Sequence, residues 1–124
     1  MRHSSLSSFL NGERSPDDLW REIEPEVTEC LSACVKGGSG HVIITDGPLT
    51  TIGREQVALL LTALAEATLP LEAASYVADA LVMSDNYEWE DHKVAEALFF
   101  LSDESAPLTL GQVEAARRRL ANAH

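Results

Sequence analysis

Cysteine is scarce in this chain, and its scarcity excludes a disulfide-rich scaffold. Only two cysteines occur in 124 residues, too few for the covalent framework of a small secreted domain. Cys30 and Cys34 are separated by four positions, so on a helix their side chains share a face. Two thiols supply at most half of a structural zinc site, and the usual Cys-x2-Cys spacing is missing. We therefore expect two reduced cysteines in the core.

Positive charge is also scarce. Nine basic residues face 20 acidic ones, which gives a formal net charge of −11. This balance argues against binding to nucleic acid or to an anionic membrane, since both attract basic surfaces. The one basic cluster, Arg117 to Arg119, belongs near a helix C-terminus, where cations offset the negative end of the dipole. A basic protein partner, or solubility alone, accounts for the acidic surplus.

Long hydrophobic runs are absent as well. No stretch approaches the roughly 20 apolar residues that a membrane-spanning helix needs. Residues 1–13 carry one basic residue, Arg2, before a weak apolar cluster, and this does not resemble a secretory signal. The sequence therefore predicts a cytoplasmic protein.

Catalytic and cofactor-binding signatures are missing too. The chain has no Gly-x-Ser-x-Gly, His-Glu-x-x-His or Gly-x-Gly-x-x-Gly pattern. The glycine-rich residues 37–40 follow a predicted helix and lead into a predicted strand, the reverse of a phosphate-binding loop, so we interpret them as a linker. We expect no catalytic residue, no metal and no cofactor. A small hydrolase that uses His41 or His92 with nearby carboxylates remains a third hypothesis.

The strongest pattern that is present is a nearly all-apolar helix at residues 71–83, LEAASYVADALVM. Its polar positions, Glu72, Ser75 and Asp79, form one narrow stripe at helical spacing. The remaining surface is apolar, and leaving it in water would forfeit about 1.5 to 3 kcal/mol for each large side chain. This stretch is therefore predicted to be the central helix of the fold.

The other segments predict helices around it and one small β element. Apolar residues recur with helical period over about 15–36, 53–66, 90–101 and 110–121, and Pro25 is expected to kink the first of these or divide it. Residues 41–52 predict a β-hairpin with an Asp46-Gly47 turn. The predicted fold is mainly α, a single-domain helical bundle of about five helices over residues 15–122. Residues 1–14 are predicted to be flexible or loosely docked.

The most unusual stretch for function follows the central helix. A calcium loop does not fit it, because Tyr87 and Trp89 stand where oxygen ligands are needed. A transition-metal site fits poorly, since the adjacent Asp91 and His92 would point about 100° apart on a helix. Aromatics framed by acids are typical of a protein-binding surface. The predicted partner-binding residues are Asp85, Tyr87, Glu88, Trp89, Glu90 and Asp91.

A structural interpretation of the same stretch stays open. In it, Trp89 packs onto the core at the start of the next helix while the acids complement that helix's N-terminus. A second acidic run lies on the first long helix and is either a solvated face or an extension of the binding surface. Its members are Glu13, Asp17, Asp18, Glu22, Glu24, Glu26 and Glu29.

Residues 77–109, VADALVMSDNYEWEDHKVAEALFFLSDESAPLT, resemble small, acidic, mostly helical bacterial proteins of the toxin-immunity kind. The resemblance is one of size, charge and helix layout, and no residue role is carried over from it. It implies a non-enzymatic inhibitor that masks a basic partner, which is our leading hypothesis. The alternative is a structural or oligomerising protein, in which Phe99, Phe100 and Leu59 form a homodimer patch.

Overall fold

Six helices and two short strands make up the described parts of the computed structural model, which cover residues 1–35, 44–102 and 108–121. The predicted mainly helical class with a small β segment is confirmed. The elements in chain order are α1 His3–Leu10, α2 Pro16–Val35, β1 Thr50–Ile52, α3 Arg54–Ala65, α4 Glu72–Met83, β2 Tyr87–Trp89, α5 His92–Ser102 and α6 Leu110–Ala121.

Helix α4 is the central helix, as predicted, and packs against α5 and α2. Val77 and Leu81 are completely buried, because the alanines around them let the neighbouring helices approach closely. Met83, an apolar residue at the end of this stretch, does not contribute to the core. Its side chain lies at the last residue of the helix and is 67% exposed.

The two strands pair with each other in parallel, Thr50 opposite Tyr87 and Ile52 opposite Trp89. The predicted hairpin over residues 41–52 is therefore wrong in its pairing, although its second half does contain a strand. Residues 44–49 form no strand, and residues 41–43 lie outside the described part of the chain. The hairpin does not form because residues 44–49 contact a distant part of the chain. The Thr45 N–H donates to the Met1 carbonyl at 3.1 Å, so this loop pairs with the N-terminal segment instead of folding back on β1.

The N-terminal segment is a docked helix, which corrects the expectation that residues 1–14 are flexible or loosely docked. Leu6 and Phe9 of α1 are 0% exposed, since they lie at helical spacing on one inward face. Glu22 of α2 accepts hydrogen bonds from Arg2 at 2.9 Å and Ser5 at 2.8 Å. Burial alone would raise the pKa of Glu22, but these hydrogen bonds outweigh it and hold the pKa below its ordinary value of 4.5.

Helix α2 is continuous through Pro25, which faces solvent. The missing proline N–H thus falls on the exposed side, where water can satisfy the freed carbonyl of the preceding turn. The buried seam of α2 is Leu19, Ile23 and Val27. Cys30 is partly buried and packs against the core. The Cys34 side chain lies outside the described part of the structure.

The α3–α4 turn contains a left-handed residue. Ala67 has a φ of +60°, the conformation that closes many helix C-termini. Thr68 and Leu69 donate their N–H groups to the Ala63 carbonyl at 3.0 and 3.1 Å. Helix α3 therefore stops abruptly, and α4 turns back into the core.

Candidate functional site

The predicted site, residues 85–91, connects α4 to α5 and contains β2 at its centre. Side chains alternate along β2, so that Tyr87 and Trp89 face the core while Glu88 faces solvent. Pairing with β1 fixes the main chain of this segment. The six predicted residues are therefore divided between the interior and the surface, instead of forming one exposed loop.

Tyr87 belongs to the interior, which removes it from the predicted binding surface. Its side chain lies against His3, with ring centroids 4.5 Å apart and planes only 15° from parallel. The phenol donates to the His3 carbonyl at 3.1 Å and lies 2.9 Å from Ser7 Oγ. Burial raises the pKa of Tyr87, against the opposing effect of the Ser7 hydrogen bond. Tyr87 therefore fastens α1 to β2, a role that no local sequence pattern indicated.

Trp89 is partly buried and packs against the core, as the structural interpretation predicts. It meets Phe99 of α5 edge-on, with ring centroids 6.3 Å apart and an interplanar angle of 69°, a favoured geometry for two aromatic rings. Phe99 is itself 53% exposed. The structure thus forms an aromatic pair that sequence reasoning missed, because the two rings belong to different elements and no single strand or helix period relates them.

Two exposed acids of the segment are held by neighbouring elements. Glu88 Oε1 accepts a hydrogen bond from Thr51 Oγ1 at 3.0 Å. Glu90 Oε2 lies 3.4 Å from the Arg54 main-chain nitrogen, over the N-terminus of α3, where a negative charge is favoured by the helix dipole. Asp85 is exposed. These contacts hold two of the carboxylates in place while leaving them accessible to water.

Asp91 acts as the N-cap of α5, in agreement with the structural interpretation of the acids. Its Oδ1 accepts the Val94 N–H at 3.1 Å, and its Oδ2 pairs with Arg54 Nε at 2.8 Å. The Val94 N–H and the Arg54 guanidinium together hold the pKa of Asp91 below its ordinary value of 3.8. Asp91 therefore joins the start of α5 to the start of α3.

Acid is expected to weaken this junction. Because the folded-state pKa of Asp91 is lowered, its charge stabilises the fold above the ordinary aspartate range, and that contribution disappears as the pH falls through the folded-state pKa. Asp91→Asn keeps the N-cap oxygen but removes the charge. Thermal midpoints measured from about pH 6 to about pH 2 should therefore fall less steeply in this variant than in the wild type. The control is Asp85→Asn in the same segment, and parallel curves for Asp91→Asn and wild type would contradict the role.

Two acids of the second acidic run contact other elements, whereas Glu24 and Glu29 are exposed. Glu26 pairs with the Met1 ammonium and accepts a hydrogen bond from the Tyr76 hydroxyl at 2.7 Å, and Glu22 is occupied by Arg2 and Ser5. Helix α2 packs on α1 and α4, whereas residues 85–91 pack on β1 and the start of α3. Two acids of the run thus hold the N-terminal segment in place.

The residues of the homodimer hypothesis are similarly divided. Phe100 is half-buried beneath the Arg119 guanidinium, which lies 5.7 Å from the ring centroid. Leu59 of α3 lies against the turn between α1 and α2, where it lines a separate cleft with Gly12. Phe99 is the member of this set whose ring contacts Trp89 in the part of the chain that the structure describes. The three residues therefore do not form one patch.

The histidines of the hydrolase hypothesis and the possible metal ligands are placed as follows in the described ranges. Within them, no three His, Cys, Asp or Glu side chains are grouped to hold a metal ion. His92 is 88% exposed and lies 3.6 Å from Glu96, one turn along α5. His41, the other histidine of the hydrolase hypothesis, lies outside the described residues. Among the helices that the structure describes, none has the length and apolar character of a membrane span.

No family model, curated protein or solved structure matches this chain. The features that bear on function are the aromatic pair, the exposed carboxylates of segment 85–91 and the charge of the molecule.

Proposed function

We propose that the protein is a non-enzymatic acidic binding protein that engages a basic protein partner through a surface that we call the ridge. The ridge consists of Asp85, Glu88, Trp89, Glu90 and Phe99. One observation carries the proposal: the Phe99 ring is 53% exposed and is held edge-on against a half-buried Trp89. Large aromatic rings that are already ordered lose little conformational freedom on binding.

The charges of the ridge favour a basic partner. Glu88 and Glu90 are exposed and anchored by Thr51 and by the start of α3, and Asp85 adds a third exposed carboxylate. A formal net charge of −11 extends the negative field around them. Such a field accelerates encounter with a basic protein and disfavours acidic partners.

An inhibitor of a basic toxin, of the immunity kind, is the specific form of this function that we favour. Its support is the acidic, mainly helical character of the chain together with the exposed carboxylates Asp85, Glu88 and Glu90 of the segment that contains Trp89. A cytoplasmic location forms part of the proposal, because the chain has too few cysteines for the disulfide framework that is common in small secreted domains.

The experiment compares the binding of a variant with two charges reversed on the ridge with that of a variant with two charges reversed on α2. The ridge variant carries Asp85→Lys and Glu88→Lys. The control variant carries Glu24→Lys and Glu29→Lys on the exposed side of α2, so both variants have the same net charge. A partner captured by the immobilised wild type at low salt is identified and purified, and its affinity for each variant is then measured by titration calorimetry.

The ridge variant should bind at least about tenfold more weakly than wild type, since two attractive charges become repulsive at the contact. Phe99→Ala should lose a similar factor or more, as expected for an aromatic anchor. The α2 variant should stay close to wild type at moderate salt, where the general field is screened. Equal losses in both charge variants, or capture of no basic protein, would contradict the proposal.

A second candidate function uses the same aromatic pair. Exposure of Phe99 beside Trp89 also suits a self-complementary contact in a homodimer. Sedimentation equilibrium distinguishes the two: a concentration-dependent dimer that Phe99→Ala abolishes would favour self-association. A wild type that remains monomeric leaves the ridge free for another protein.

A further inference from the structure

A cleft of about 350 Å³ opens on a different part of the molecule, between the α1–α2 turn and α3. This volume is near the lower end of the range for small-molecule sites, roughly 300 to 1,000 Å³, and suits one side chain better than a large ligand. Phe9, Leu59 and Ala63 supply its apolar lining, and Glu13, Arg14 and Glu66 are its charged members.

The backbone around the cleft favours a positive charge. Helices α1 and α3 both end at this cleft, and neither has a basic residue in its last turn. Their C-terminal dipoles therefore remain without the usual cationic complement from their own sequence. Gly12, with a φ of +78°, follows the end of α1, and Ala67, with a φ of +60°, follows the end of α3. Gly12, Glu66 and Thr68 all line the cleft.

The charged side chains that line the cleft also leave an excess of negative charge. Glu13 and Glu66 are both exposed. Among the described residues, Arg14 is the one basic residue that lines the cleft, and its guanidinium is directed to Glu22 of α2 at 3.6 Å. Glu22 already accepts hydrogen bonds from Arg2 and Ser5. The Arg14 charge is thus shared with a carboxylate outside the cleft.

We propose that this cleft binds an arginine side chain of a partner protein. The aliphatic stem lies along Leu59, and the guanidinium lies between Glu13 and Glu66. Arginine suits the site better than lysine, because its planar group presents five donors that can reach carboxylates on two sides, and it is more weakly hydrated over apolar surface. The cleft acts independently of the ridge, so either site can fail without the other.

The test uses a defined peptide, acetyl-Gly-Gly-Arg-Gly-Gly amide, and its citrulline analogue, which has the same shape without the charge. Binding to the full chain is followed by NMR, through the methyl resonances of Leu59. The variant that tests the site is Glu13→Gln with Glu66→Gln. The matched control is Glu24→Gln with Glu29→Gln, two exposed acids of α2.

Saturable shifts at Leu59 with the arginine peptide, absent with citrulline, are the expected result. The cleft variant should weaken binding roughly five- to tenfold, because each partly exposed ion pair contributes only a few-fold, while the α2 control and Asp85→Lys with Glu88→Lys should stay within about twofold. Equal shifts with citrulline, an unaffected cleft variant, or no saturable shift would overturn the assignment. Loss of binding in the Asp85 and Glu88 variant alone would place the arginine at the ridge and would also overturn it.

Discussion

Replacing Leu81 with alanine is expected to lower the free energy of unfolding by about 2 to 5 kcal/mol, a large fraction of the total stability of a domain of this size. Leu81 is 0% exposed on α4, the helix that packs against both α5 and α2. Removing its branched end loses the free energy of burying those carbons and leaves a cavity that the surrounding helices refill only in part.

Urea unfolding followed by circular dichroism measures this effect. The matched control is Met83→Ala on the same helix, where the side chain is 67% exposed and the expected change is within about 0.5 kcal/mol. A loss below about half a kcal/mol for Leu81→Ala would mean that α4 is not the central helix.

Gly47→Ala is expected to destabilise the protein by about 1 to 3 kcal/mol, although it adds a single carbon. A Cβ at this position would lie 2.9 Å from Cδ2 of the His3 ring and closer still to Cγ and Nδ1. The ring cannot move aside easily, since His3 is 3% exposed and stacked on Tyr87. The added methyl group must therefore push the 44–49 loop away from α1 or break the His3–Tyr87 stack.

Two further variants make this prediction specific. Gly111→Ala places the same methyl group in α6, where the nearest neighbour is Thr109 Oγ1 at 3.9 Å, and it should stabilise by up to about 1 kcal/mol through helix propensity. In the double variant with His3→Ala, the cost of Gly47→Ala should largely vanish, because the ring that it strikes is gone. Additive losses in that cycle would show that the close approach does not determine the effect.

Local patterns predicted the helices well, because the spacing of apolar residues within each helix indicates which face of that helix is buried. The stripe of Glu72, Ser75 and Asp79 located the outer edge of α4. The Thr-x-x-Gln spacing of Thr109 and Gln112 is the local pattern of a capping box, and at the start of α6 each main-chain N–H donates to the other's side chain at 3.0 and 3.2 Å. These are interactions between residues three or four positions apart, so a single segment contains both partners.

Pairings between distant segments were the ones predicted wrongly. The Asp46-Gly47 turn is a good local signal for a hairpin, but Gly47 is held against His3 and β1 pairs with β2, far along the chain. The weak apolar cluster of residues 1–13 did not predict a docked helix, because the docking of the N-terminal segment also depends on the acceptors Glu22 and Glu26 of α2. The sequence of β1 does not identify β2 as its partner strand, and the sequence of the N-terminal segment does not identify α2 as the helix that supplies its acceptors.

The candidate site shows the same limit. Composition predicted an acidic and aromatic surface after α4, and Asp85, Glu88 and Glu90 are exposed there. It could not assign Tyr87 to the interior, since that follows from the stack with His3. Nor could it name Phe99 as the neighbour of Trp89, since their contact exists only once α5 has folded back beside β2.

The sequence by itself determined the helical class, the central position of residues 71–83 and the strongly negative charge, because periodicity, burial tendency and charge are properties of neighbouring residues. Tertiary structure decided which strands pair, that the N-terminus docks, and which of the six predicted residues of segment 85–91 reach the surface. Those outcomes depend on contacts between parts of the chain that are far apart in sequence, and only the packed core brings them together.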